Sequence, residues 1–128
     1  MTLVEFLAAR IADDETAAWV AYSNREDVED DGEWRVEEQQ PRSAEITGIG
    51  IRIPDDGGHS LAQAHHIARH DPARVLRDCT AKRLVVERAE GPVATDWRPD
   101  DPPTDTPELR FLAAVYSDHP EYREEWRP

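Results

Sequence analysis

The chain of 128 residues is poor in cysteine, in basic residues and in long apolar runs. Its single cysteine, Cys79, excludes an internal disulfide and fits a reducing compartment. No stretch approaches the roughly 20 apolar residues that span a bilayer. The opening MTLVEFLAAR carries Glu5 early and lacks a long apolar run, so it does not resemble a signal peptide. We therefore expect a soluble, cytoplasmic protein.

The shortage of basic residues gives the chain its charge. The chain has 15 lysines and arginines and 28 aspartates and glutamates, which gives a formal net charge of −13 at pH 7. An acidic surface repels nucleic acid and anionic membranes, and it favours basic partners. We therefore expect a protein partner of basic character, no membrane contact, and no nucleic acid as ligand. Imitation of nucleic acid by the acidic chain itself is an alternative function.

Complete catalytic or nucleotide-binding motifs are also missing from the sequence. The chain has no GxGxxG, GxxxxGK[ST] or HExxH pattern and no cysteine pair. We also find no pairing of a nucleophile with a base. The leading interpretation is a small non-enzymatic module that binds or regulates other proteins.

Four of the five histidines lie close together in the chain. Three of them and an adjoining aspartate are candidate metal ligands: His59, His66, His70 and Asp71. His66 and His70 are four residues apart, the spacing by which a helix presents two imidazoles to one ion. Zinc or another divalent metal would be the cofactor. A metal-binding protein or metal-dependent hydrolase using His59, His66 and His70 is therefore the alternative function. Surface or capping histidines are the competing interpretation.

Capping residues predict four helices, each begun by a polar side chain that accepts a helix-start N–H group. The predicted ranges, with their capping residues, are 3–22 (Thr2 and Glu5), about 61–69 (Ser60 and Gln63), about 72–89 (Asp71) and a last helix begun by Thr106 and Pro107. Pro72 ends the second helix and opens the third, so these two form a broken pair. Gly91 ends the third helix.

Alternating apolar and polar residues predict two strands, at 34–36 and 49–53, with Gly48 and Gly50 within the second run. The spacer 39–45 predicts a loose hairpin loop. A two-stranded hairpin is not stable alone, so helices must cover its isoleucine face. The predicted fold class is α+β: an N-terminal helix, a small antiparallel β-hairpin, a broken central helix pair and a C-terminal helix.

These elements are predicted to form one domain over residues 1–128, with two irregular segments inside it. Residues 24–33 form an acidic loop that matches a calcium loop only in part, because Arg35 falls where a ligand is needed, and we expect no calcium. Residues 91–107 hold five prolines and predict an extended linker.

The aromatic C-terminal tail is predicted to pack back onto the domain. Tyr122 and Trp126 are four residues apart, and burying both rings outweighs the cost of ordering a short segment. The predicted docking place is the broken helix pair, where Arg74, Arg77 or Arg83 would meet Glu124 and Glu125. Binding of a partner by the same rings is the alternative.

Three segments together resemble a known family: HIARHDPARVL at 66–76, AKR at 81–83 and YSDHPEYREEWRP at 116–128. They are similar to an uncharacterised actinobacterial family classed as domain of unknown function 6221. The opening MTLVEFLAARI is similar as well. The resemblance implies a compact common fold, and it brings no activity, cofactor or catalytic residue.

Overall fold

The computed structural model describes residues 1–22, 32–39, 43–54, 60–91 and 105–128. Across these ranges the chain forms four α-helices and three β-strands, ending in a short 3-10 turn. In chain order they are α1 (Leu3–Tyr22), β1 (Arg35–Gln39), β2 (Ser43–Thr47), β3 (Ile51–Pro54), α2 (Ser60–Arg69), α3 (Pro72–Glu90), α4 (Pro107–Ala114) and the turn Glu124–Trp126. The predicted α+β class is confirmed, with the N-terminal helix, the broken central pair and the C-terminal helix in place.

The helix starts follow from side-chain capping. At the start of α1, the Glu5 N–H donates to Thr2 Oγ1 at 3.2 Å, and the Thr2 N–H donates to Glu5 Oε2 at 2.7 Å. At the start of α4, the Leu109 N–H donates to Thr106 Oγ1 at 3.4 Å. These bonds satisfy donors that have no partner within the helix itself. The Ser60 side chain lies outside the described part of the chain, so its capping box stays a prediction.

The sheet contains three strands, one more than the predicted hairpin. It is an antiparallel meander in the order β1-β2-β3, in which Ile46 of β2 lies opposite Val36 of β1 and Ile51 of β3. The predicted loop over 39–45 is wrong at both ends, because Gln39 belongs to β1 and Ser43–Glu45 belong to β2. The chain therefore reverses direction between β1 and β2, as expected, and a second time between β2 and β3, inside the run predicted as one strand.

Gly48 and Gly50 form the second reversal, so the prediction that they lie inside a strand is also wrong. Both have a positive φ, 94° and 65°, which glycine adopts at little cost in a tight turn. A Cβ on Gly48 would lie 2.8 Å from Cδ1 of Trp34. The missing side chain thus lets the Trp34 ring pack directly on the turn.

The chain divides into two compact units with different cores. The first unit comprises Met1–Asp14 with Asp78–Pro128, and the second comprises Glu15–Arg77. Side chains buried in the first unit include Phe6, Leu7, Ile11, Cys79, Val86, Leu109, Ala113 and Trp126. In the second unit, the main buried cluster is Ala44, Ile46, Ala64 and Ala68, where α2 packs on the sheet. The single domain over residues 1–128 stays a prediction.

Several predicted features lie outside the described residues: His59, most of the acidic loop 24–33, and most of the linker 91–107. The described end of the acidic loop, Gly32 and Glu33, leads directly into β1. Among the helices of the described ranges, none combines the length and the apolarity that crossing a bilayer requires.

Candidate functional site

Two of the predicted metal ligands, His66 and His70, lie side by side at the end of α2. Their ring centroids are 4.5 Å apart, and both residues are exposed. His70 Nδ1 lies 2.8 Å from the His66 carbonyl oxygen. A carbonyl oxygen only accepts, so Nδ1 donates to it, and Nε2 is the ring nitrogen that this bond does not use. Metal-binding histidines commonly have this arrangement, in which the second ring nitrogen donates to a carbonyl or carboxylate.

Asp71, the third predicted ligand, is oriented toward backbone N–H groups. Its Oδ1 accepts from the Arg74 N–H at 2.8 Å, which confirms it as the N-cap of α3. Its Oδ2 accepts from the Trp34 N–H at 3.1 Å, and the carboxylate is buried. In return, the Ala73 N–H donates to the Gly32 carbonyl oxygen at 3.0 Å. Asp71 therefore ties the start of α3 to the residues that precede β1.

The structure thus brings two of the four candidate ligands together. His59 lies outside the described residues, and both Asp71 oxygens already accept hydrogen bonds from the backbone. In the described part of the chain, no group of three or more histidine, cysteine, aspartate or glutamate side chains could hold a metal ion. The metal site stays a prediction that rests on the imidazoles of His66 and His70.

Grooves flank α2 where it packs on the sheet. The α2–β1 groove has a volume of about 410 Å³ and is lined by Trp34, Arg35, Val36, His65, Ala68 and Arg69. The α2–β3 groove, of about 510 Å³, is lined by Ile53, Ala62, Gln63, His66 and Ile67. The sequence interpretation did not single out His65 and Arg69. Their spacing of four residues on a predicted helix was the signal that could have found them.

The C-terminal tail packs back, as predicted, and its anchor is Phe6 of α1. Trp126 is 4% exposed, and its ring centroid lies 5.0 Å from that of the fully buried Phe6. Three further rings surround Phe6 at centroid distances of 5.8 to 6.4 Å: Tyr116, His119 and Tyr122. We name these five rings the aromatic hub.

The polar contacts of the tail differ from the predicted ones. Glu124 forms an ion pair with Arg127, and Glu125 forms one with Arg123, so the predicted contacts to arginines of α3 are wrong for these two carboxylates. Arg10 of α1 holds the tail instead. Its Nη1 lies 2.9 Å from Glu121 Oε2 and 2.6 Å from His119 Nε2. The guanidinium also lies over the hub, 5.6 Å from the centroid of its central ring.

A polar network beside the hub contains a tyrosine and a lysine, a combination that can serve acid–base chemistry. The Tyr116 hydroxyl donates to Asp14 Oδ2 at 2.6 Å, and Lys82 Nζ donates to the same hydroxyl at 2.8 Å. Burial, followed by the hydrogen bond to Asp14, raises the pKa of Tyr116 far above its usual value. The phenol therefore keeps its proton, which makes it a poor base and a good structural donor. Cys79 is buried, as expected of a core residue.

An apolar patch with acidic neighbours lies on the outer side of α4. Phe111 is 61% exposed and Val115 is 65% exposed; we name this pair the α4 patch. Glu108 and Asp118 are exposed on either side of it in the chain. Hydrogen bonds from its own backbone N–H and from Thr106 lower the pKa of Glu108, so this carboxylate is ionised at neutral pH. The patch therefore combines large apolar side chains with negative charge.

Comparison with known proteins gives a family and no activity. A family model matches the chain over residues 1–128, its full length. The chain belongs to DUF6221, a family of unknown function. No curated protein and no solved structure matches it. Membership in DUF6221 confirms the resemblance found in the sequence. It assigns no substrate or site residue.

Proposed function

We propose that this DUF6221 protein is a non-enzymatic binding module that holds a basic, amphipathic segment of a partner protein on the α4 patch. The observation that carries the proposal is the exposure of Phe111 and Val115, at 61% and 65%. They are four residues apart, so one turn of helix presents both to the same partner surface. Large apolar side chains with a charged rim are the usual anchors of protein interfaces.

The energies favour a complex of moderate strength. Burying a phenylalanine or a valine side chain contributes about 1.5–3 kcal/mol. Two such anchors supply at most about 3–6 kcal/mol, roughly half of the about 8 kcal/mol that a micromolar complex needs. The remainder has to come from the rim and from neighbouring contacts.

The charge of the rim selects a basic partner. The one arginine of α4, Arg110, forms a two-pronged ion pair with Asp105 at 2.6 and 2.8 Å. Arg110 is thus engaged, while Glu108 and Asp118 border the patch. The net charge of −13 adds a long-range field that speeds the approach of cations. A segment with apolar side chains flanked by lysine or arginine fits this surface.

Defined peptides test the proposal. An amphipathic peptide of leucine and lysine at helical spacing should bind and should shift the NMR signals of Phe111 and Val115. A glutamate version of the peptide should not bind. The double substitution Phe111→Ser with Val115→Ser should weaken binding of the lysine peptide at least about tenfold, because both anchors are lost.

Leu84→Ser provides the matched control. Leu84 on α3 is 59% exposed, so its replacement removes a comparable apolar surface outside the α4 patch. Binding should be unchanged in this variant. An equal loss in both variants, or signal shifts that avoid α4, would show that the peptide adheres to apolar surface in general and would overturn the proposal.

A second candidate function, binding of zinc or another divalent metal, is favoured by the geometry of His66 and His70. Their rings adjoin, and the hydrogen bond of His70 to the His66 carbonyl oxygen uses Nδ1 and not Nε2. Calorimetric titration with zinc should then show one equivalent bound to the wild type and none bound to His66→Ala. His65→Ala, on the same helix, should bind zinc normally. Equal behaviour of the two variants would exclude this pair as the ligand.

A further inference from the structure

We propose that the α2–β1 groove is a binding site for a small organic anion. The phosphate or carboxylate group would lie at a cationic rim, and the apolar part of the molecule would lie on the floor of the groove. The described lining residues of the groove belong to the second compact unit. The inference does not depend on the α4 patch or on a protein partner.

The floor of the groove is apolar. Ala68 is 8% exposed and belongs to the core, and Trp34 and Val36 pack against that core while still lining the groove. Since Ala68 is small, α2 lies close to β1 without filling the space beside it. Trp34 adds an aromatic side chain to the lining, against which a flat apolar group can pack.

The rim is formed by basic side chains from both elements. His65 and Arg69 are one helical turn apart on α2, and Arg35 faces them from β1. Within the described residues, the side chains of His65 and Arg69 make no ion pair or hydrogen bond. Arg35 is engaged by Glu33 at 2.9 Å, in an exposed pair of the kind that contributes little to stability and exchanges readily. Arginine donates to phosphate and carboxylate oxygens with two parallel N–H groups.

A group of basic side chains such as the one at this rim is unusual in so acidic a chain. With 28 acidic residues and 15 basic ones, most cations of the chain have carboxylates to pair with. Arg10, Lys82 and Arg110 each do so. At the rim, Arg35 likewise pairs with Glu33, while His65 and Arg69 add two further basic side chains beside the open groove. A volume of about 410 Å³ lies within the range of roughly 300–1,000 Å³ typical of small-molecule sites.

Four probes separate the chemical requirements in an NMR titration of the intact protein. Phenyl phosphate and phenylacetate carry an anion and a ring, inorganic phosphate carries only the anion, and benzyl alcohol carries only the ring. The two complete probes should shift the signals of Val36, His65 and Ala68. Each should bind with an affinity at least several-fold higher than that of either partial probe. Comparing the dissociation constants of phenyl phosphate and phenylacetate then shows whether the rim prefers a phosphate or a carboxylate group.

Arg69→Ala should weaken binding of the preferred probe by about tenfold, the effect of losing a charge-assisted hydrogen bond. The Arg69 side chain is exposed, so the melting temperature should not change. Arg77→Ala, which removes an exposed arginine of α3 outside the groove, should bind as the wild type. The proposal is overturned if benzyl alcohol binds as well as phenyl phosphate, if Arg77→Ala has the same effect as Arg69→Ala, or if millimolar probe leaves the groove signals unmoved.

Discussion

The cores of the two compact units are built from different kinds of side chain. The first unit interlocks large rings around Phe6, and its polar side chains pair among themselves, as Arg10 does with Glu121 and Tyr116 with Asp14. The second unit packs a helix on a sheet through small residues such as Ala64 and Ala68. Large rings fill the space around them, whereas small residues bring backbones together and leave grooves beside the contact. The second unit is therefore where small-molecule binding is expected.

The largest effect should come from breaking the aromatic hub. The two phenylalanines of the chain form a matched pair, because Phe6 is fully buried and Phe111 is 61% exposed. Phe6→Ala should lower the free energy of unfolding by about 4 kcal/mol, since it leaves a cavity among four rings. Phe111→Ala should change it by less than about 0.5 kcal/mol. Chemical denaturation measures both, and equal losses would show that the hub is not what stabilises the first unit.

Removing the tail should cost less than removing the hub centre. Deletion of residues 121–128 removes Trp126 and Tyr122, but it also recovers the entropy of ordering the segment. We expect a loss of about 2–3 kcal/mol and a melting temperature lower by roughly 5–10 °C. Deletion of 127–128 alone keeps both rings and should have little effect. An unchanged melting curve for the longer deletion, together with fast amide exchange at 121–126 in the intact protein, would contradict the observed docking.

In the second unit, Asp71→Ala should lower the free energy of unfolding by about 2 kcal/mol. About half of the loss comes from the helix cap, and about half from leaving the backbone N–H of Trp34 without its acceptor. Asp71→Asn keeps one acceptor oxygen and should lose about 1 kcal/mol. If alanine and asparagine are equally destabilising in denaturant titrations, the acceptor oxygen that asparagine keeps contributes nothing to stability.

The smallest effect concerns the tyrosine network. Tyr116→Phe should cost about 1 kcal/mol through its lost hydrogen bonds. The folded state raises the pKa of Tyr116 and so favours the protonated phenol. This contribution is complete below the usual tyrosine pKa of about 10 and is lost as the pH rises beyond it.

A near-ultraviolet titration of the three tyrosines checks this contribution. One phenol should ionise well above the usual pH, and that late step should be absent in Tyr116→Phe. A late step that persists in the variant would assign it to another tyrosine.

Local signals allowed most helix boundaries to be predicted. The capping residues Thr2, Asp71 and Thr106 act within one turn, so α1, α3 and α4 begin where the sequence places them. Strand β2 was missed because its inward positions are Ala44 and Ile46, and a small alanine weakens the alternating pattern. The turn glycines were misplaced because a positive φ is not visible in a residue name.

Contacts between distant residues were harder to predict. The rings of the tail indicated docking, but the receiving surface depends on how α1 and the tail meet in three dimensions. Arg10 and His119, separated by 109 positions, carry no local sign of their contact. The pair His66 and His70 was found because the spacing of a single helix defines it. The α2–β1 groove was missed because it needs both α2 and β1, which the sequence does not show to be neighbours.

The aromatic hub also has a consequence for synthesis on the ribosome. Phe6 and Trp126 are separated by 120 positions (126 − 6), which take roughly ten seconds to translate at ~5–20 residues per second. The unit Glu15–Arg77 is continuous in the chain and is complete before the hub rings from Tyr116 onward are made. During that interval Phe6 lacks the tail rings that surround it in the folded unit. A chain that stalls before Trp126 therefore displays the apolar side of α1, a feature that chaperones and proteases can recognise as a mark of unfinished synthesis.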